Sequence, residues 1–152
     1  MLGLREALVR HAKADRVALI LAESGREISY AELLASIEAY AAGAAGLAKG
    51  QFAGILAPRG PEAIATFFGL MQAGLCPCFM EPKLTPEVTA DRMASVGMTL
   101  LYKGEAALGA LKNPGVPGDY QPGSDDAAMM LFTSGSTGRP KGVVLTLSLI
   151  HI

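Results

Sequence analysis

From Ser29 the chain reads SYAELLASIEAYAAGAAGL, and Leu33, Ile37, Tyr40, Ala44 and Leu47 recur in it every three or four residues. That spacing sets the five on one face of a helix. Ser29 and Glu32 form the capping-box pair that satisfies free amides at a helix start, and Gly50 marks the expected stop. The short apolar run FAGILA follows and reads as a strand. In RGPEAIATFFGLMQAG, Pro61 suits a first helical position, while Ile64, Phe67, Phe68 and Met71 make one apolar stripe. LCPCFM is a second buried strand. Thr85 and Pro86 then supply a cap and first turn for a third helix, Gly97 ends it, and MTLLY is a further strand.

Strands alternating with helices, each strand almost continuously apolar, predict an α/β fold of parallel-sheet layers covered by helices. Each parallel pair needs a crossover, and its strands are buried on both faces. Upstream, VALILAESGREISY predicts two short strands joined at a Glu-Ser-Gly turn. Downstream, KNPGVPGDYQPGSDD alternates Pro and Gly and predicts a linker, after which AAMMLF is a strand running into a Gly-rich loop. Neither an internal repeat nor a low-complexity tract interrupts this order.

The 152 residues are one domain's worth, and a formal net charge of -1 disfavours a nucleic acid or an acidic membrane surface as partner. The uncharged run from Ala63 to Met80 reaches the length of a membrane span, yet Gln72, Gly74 and Pro77 break it, so a helix and a buried strand are expected with no transmembrane segment. The opening MLGLREALVRHAKADRVALIL scatters charges among its apolar residues and has no signal-peptide pattern, which predicts a cytoplasmic protein. Cys76 and Cys78 lack the further ligands that a structural zinc site takes, so they read as buried strand thiols and no metal site is assigned.

The chemistry lies in TSGSTGRPKG, from Thr133 to Gly142. Glycines let successive backbone amides point inward, hydroxyls add donors and a lysine adds charge, which together suit phosphate oxygens. This is not a Walker loop, because Pro140 stands where the second glycine belongs and Gly142, not Ser or Thr, follows Lys141. A dinucleotide fingerprint fails as well on its glycine spacing. The following GVVLT is β-branched, so the loop is expected to join two strands and not to cap a helix. The alternative is a plain exposed turn.

LFTSGSTGRPKGVVLT resembles the phosphate-binding motif of the acyl-adenylate-forming (AMP-binding) superfamily, which includes acyl-CoA synthetases, peptide-synthetase adenylation domains and luciferases. The resemblance extends back through ISYAELLASIEAYAAGAAGL, FAGILAPRGPEAIATFFGLMQAG and GMTLLYKGE. It implies the N-terminal part of an acyl-CoA synthetase: an ATP-dependent acid-thiol ligase that makes an acyl-adenylate and passes the acyl group to coenzyme A. ATP, Mg2+, coenzyme A and a small-molecule carboxylic acid are the implied cofactors and substrates. Thr133, Ser134, Ser136 and Thr137 would be hydroxyl donors to ATP phosphates, Gly135 and Gly138 would shape the loop, and Lys141 would be the cation. Arg139 stands at a position that the family varies and reads as a solvated loop charge.

The family generally continues this strand with Thr-His, whereas here Leu147 follows Thr146. The tail LSLIHI matches nothing in the family and is encodable by CTG TCT CTT ATA CAC ATC, the mosaic end of a transposon used to fragment DNA. Residues 1–146 are therefore expected to be a partial AMP-binding domain, truncated after its motif, and 147–152 a non-native adapter-derived tail. A genuine terminal strand is the alternative. On the first reading His151 has no catalytic meaning, no complete catalytic set is present, and the chain alone is expected to be inactive and prone to aggregate. His11, in an amphipathic opening helix, reads as a packing or surface residue. The competing functions are a short non-catalytic nucleotide-binding or interaction module and, within the family, a peptide-synthetase adenylation domain.

Overall fold

The computed structural model describes residues 4–103, 127–133 and 140–150. Helix α1 (Leu4–Lys13) leads into an antiparallel hairpin of β1 (Val17–Ile20) and β2 (Glu27–Ser29), as the Glu-Ser-Gly turn predicts. His11 of α1 packs its ring 4.9 Å from that of Tyr30, at the head of α2 (Tyr30–Gly43). The capping box of α2 is complete: Glu32 N donates to Ser29 Oγ at 3.2 Å, and Ser29 N donates to Glu32 Oε2 at 2.8 Å.

Helix α2 stops at Gly43, seven residues short of the Gly50 expected from the pattern, since Ala44 caps it and the chain then turns. Ala44 and Leu47 are nonetheless buried, so the apolar spacing reported a buried face that outlasts the helix.

The remaining elements are β3 (Phe52–Ile55), α3 (Pro61–Gln72), β4 (Cys76–Phe79), α4 (Pro86–Ser95), β5 (Leu100–Tyr102), β6 (Ala127–Thr133), β7 (Lys141–Thr146) and the single turn α5 (Leu147–Ile150). Thr85 caps α4 by accepting from Val88 N, and Pro86 opens it. The five-stranded sheet has the order β5-β3-β4-β6-β7; its pairs are parallel except the last, β6 with β7. The linker expected over 112–126 lies outside the described residues.

Two apolar layers sandwich the sheet. On one face Ala53, Ile55, Leu100 and Tyr102 pack against α2 and α3 through Ile37, Tyr40, Ala65 and Leu70. On the other, Cys76, Cys78, Met80 and Met130 pack under α4 with Met93 and Val96. Strand alternation explains the division, because neighbours in sequence point to opposite faces. Among the described residues no helix is long and apolar enough to cross a membrane; the uncharged run is split into α3 and β4.

Candidate phosphate-binding site

β6 runs parallel to β4 and lies between it and β7. Its last residue, Thr133, therefore sits at the carboxyl end of the parallel strands, the edge at which open α/β sheets hold their ligands. Thr133 pairs in register with Lys141, the first residue of β7. Thr133 Oγ1 donates to the Lys141 carbonyl oxygen at 3.4 Å, and both side chains are exposed. Thr133 and Lys141, which flank residues 134–140, thus stand at directly opposite positions of the sheet. This is the strand-to-strand connection that GVVLT predicts.

Of the sequence-predicted phosphate ligands, the structure brings together Thr133 and Lys141. Ser134, Gly135, Ser136, Thr137, Gly138 and the neighbouring Arg139 lie outside the described residues. The two that are placed are a hydroxyl and an ammonium group, a donor set that fits phosphate oxygens and does not by itself fit Mg2+. Among the described residues no three His, Cys, Asp or Glu side chains meet where they could hold a metal ion.

One feature of the stem escaped the sequence. Gly142 pairs with Phe132, one rung below Thr133 and Lys141. A Cβ at Gly142 would come within 2.9 Å of both Met130 Sδ and Val96 Cγ1. The glycine that closes the motif therefore makes room for the α4 layer as well as following the lysine. Its only signal in the sequence was its place after Lys141.

Beneath the stem, Cys78 pairs with Met130 across β4 and β6. Cys76 and Cys78 are free thiols with no solvent exposure, and burial pushes each up to about 11. At Cys78 the neighbouring Cys76 adds to the rise and Arg92 opposes it. Thiols held protonated in this way are poor nucleophiles and metal ligands, in keeping with the buried-strand reading.

The chain matches the family described as AMP-binding enzyme over residues 5–151. It is 33% identical over 163 residues to a feruloyl-CoA synthase of Amycolatopsis, a match covering 95% of this chain and 33% of that protein. It is 31% identical over 159 residues to the phenyloxazoline synthase MbtB of Mycobacterium tuberculosis, covering 93% of this chain and 11% of that one. Its fold superposes on the N-terminal subdomain of Klebsiella oxytoca NpsA, solved with 3-hydroxyanthranilyl-AMSN, at a TM-score of 0.75 and 25% identity, covering 95% of this chain and 40% of that one. The chain thus spans about a third of the length of the feruloyl-CoA synthase it matches. With Thr133 and Lys141 at the carboxyl edge of a mixed α/β sheet and a family match along nearly its whole length, the chain belongs to the AMP-binding enzyme family.

Proposed function

We propose that the protein is the phosphate-gripping part of an AMP-forming acid-thiol ligase. A carboxylate oxygen attacks the α-phosphorus of ATP and pyrophosphate leaves; a thiol, that of coenzyme A, then displaces AMP from the acyl-adenylate. Carboxylates are unreactive acyl donors at neutral pH, so the first step exchanges a poor leaving group for a good one. The charge gathering on pyrophosphate needs fixed donors beside it. Thr133, Ser134, Ser136 and Thr137 supply hydroxyls, Gly135 and Gly138 let the backbone amides turn inward, and Lys141 supplies the positive charge. Mg2+ accompanying ATP would neutralise further phosphate charge.

The observation that carries this reading is the Thr133–Lys141 pair, which holds the ends of the loop together at the carboxyl edge of the sheet. The match to a feruloyl-CoA synthase supports coenzyme A as acceptor. A 35% identity over 104 residues to CymA of Salinispora arenicola, a probable non-canonical nonribosomal peptide synthetase, favours a second reading within the family, a peptide-synthetase adenylation domain.

Residues 1–146 form the partial domain and 147–152 the adapter-derived tail. The protein acts in the cytoplasm and turnover belongs to a longer chain. Pyrophosphate release with ATP, a panel of aryl and fatty acids and coenzyme A tests this. The 152-residue chain is expected to bind ATP at millimolar strength, to lose that binding in Lys141→Ala, and to release no pyrophosphate. Turnover by the chain would refute its incompleteness. Sequencing the source DNA beyond the Thr146 codon tests the tail, for which the adapter reading requires one nucleotide string.

A further inference from the structure

Helix α4 and its C-terminal cap residue Val96 reach the loop stem at two points. Arg92 places its guanidinium carbon 5.6 Å from the centroid of the Phe132 ring. One turn on, Val96 fills the space over Gly142, the residue paired with Phe132. Both contacts fall on the rung next to Thr133 and Lys141. Arg92 is half-buried, and its Nε is shielded from solvent with no hydrogen-bond partner among the described residues. A guanidinium nitrogen shielded from water without a hydrogen bond is costly unless another attraction offsets it. The face of an aromatic ring supplies one.

We propose that Arg92 is a positioning residue for the phosphate loop: by stacking on Phe132 it fixes the end of β6, and so the direction in which Thr133 enters the loop. It touches no phosphate itself. Phe132 lies between Met130, locked under α4, and Thr133, which is exposed. It is therefore the last side chain of β6 that the core can hold, and Arg92 sets how firmly. Val96 does the same for β7 by contact alone, leaving no room for a side chain at Gly142. The proposal rests on the reading that this loop takes the phosphates of ATP.

The test is hydrogen exchange of the whole 152-residue chain without nucleotide, followed by titration with inorganic pyrophosphate, for the parent chain, Arg92→Lys, Arg92→Met and Phe132→Leu. Loss of a cation–ring contact should speed exchange of the β6 and β7 peptides about fivefold in Arg92→Met and Phe132→Leu. Exchange in α2 should stay unchanged. Pyrophosphate affinity should fall by a similar factor in both variants, and Arg92→Lys, which keeps the cation, should recover most of it. Unchanged exchange in β6 and β7 would overturn the proposal, as would an equal rise in every element, which marks a residue of general packing. Should the parent chain fail to take up pyrophosphate, the phosphate reading fails, and the exchange pattern still decides whether Arg92 sets the stem.

Discussion

Gly69 of α3 stands against Tyr40 of α2 so closely that a Cβ on the glycine would lie 2.5 Å from the Tyr40 Cβ. It would also come 2.8 Å from the Ile37 carbonyl oxygen, while the Tyr40 hydroxyl donates to Glu62 Oε1 at 3.0 Å. Backbone and side chain together hold the two helices in register over the sheet. Gly69→Ala should therefore destabilise the fold by about 1–3 kcal/mol even though alanine favours a helix, because the obstructing atoms are largely backbone. Urea unfolding measures it, with Gln72→Ala on the exposed side of α3 as control. Equal stability for the two variants would mean that the helices part freely.

The capping box of α2 carries a second prediction. Ser29→Ala should cost about 0.5–2 kcal/mol by freeing the Glu32 amide and removing the hydroxyl that Glu32 meets. Bonds from the Ser29 backbone and then its side chain hold the Glu32 carboxyl below its ordinary value. A depressed folded-state value means that the carboxylate adds stability above its unfolded value and loses it as pH falls through the folded one. Stability of the parent chain should thus fall on acidification below about pH 4.5, and the fall should be shallower in Ser29→Ala. Parallel curves for the two would remove Glu32 from the account.

Much of this architecture was legible in the sequence, and the failures are informative. Ser29 with Glu32, Thr85 with Pro86, and Pro61 each marked a helix start because capping is local chemistry, carried by two or three adjacent residues. The alternation of elements gave the parallel sheet, and β-branched Val143 and Val144 placed a strand after the loop. The end of α2 was not legible. Ala44 and Leu47 continue the buried stripe while the hydrogen bonding has already changed, and periodicity reports burial rather than backbone continuity. Nor could sequence bring Val96 and Arg92 to Gly142 and Phe132, since those contacts join residues about forty positions apart. The loop's expected chemistry came from its residue types alone, whereas the anchoring of its flanking strands became visible only with the sheet order.

Alkaline behaviour should report on the layer beneath α4. Burial raises Cys76 and Cys78 from an ordinary 9.0 to about 11, and Tyr102 on the opposite face to about 12. The unfolded thiols ionise first, so the stability due to their protonated forms is complete below about pH 9 and is lost as pH rises towards 11. In the folded chain at pH 8 both thiols should resist a disulfide reagent, and both should react at once in urea. Rapid labelling of the native chain would show that the layer opens to solvent.

The last prediction concerns the face that α2 and α3 leave open. Leu131 and Val143 are directly paired across β6 and β7, and Cys78 pairs with Met130, which sets Phe79 beside Leu131 in the same row. Phe79 stacks on Phe67 of α3 at 5.2 Å, yet the row remains 40%, 39% and 42% exposed at Phe79, Leu131 and Val143. Within the described sheet β7 is also an edge, paired on one side only. An apolar row ending at an unpaired edge favours contact between copies, because apolar surface is removed from water and the free amides and carbonyls of β7 gain partners. The 152-residue chain should therefore self-associate in the micromolar range, where such exposed surfaces aggregate. Leu131→Lys combined with Val143→Glu places opposite charges across the pair, an arrangement that antiparallel strands accommodate. It should leave the fold intact while shifting sedimentation towards the monomer. A parent chain that already sediments as a monomer at those concentrations would show that the row is too small to drive association.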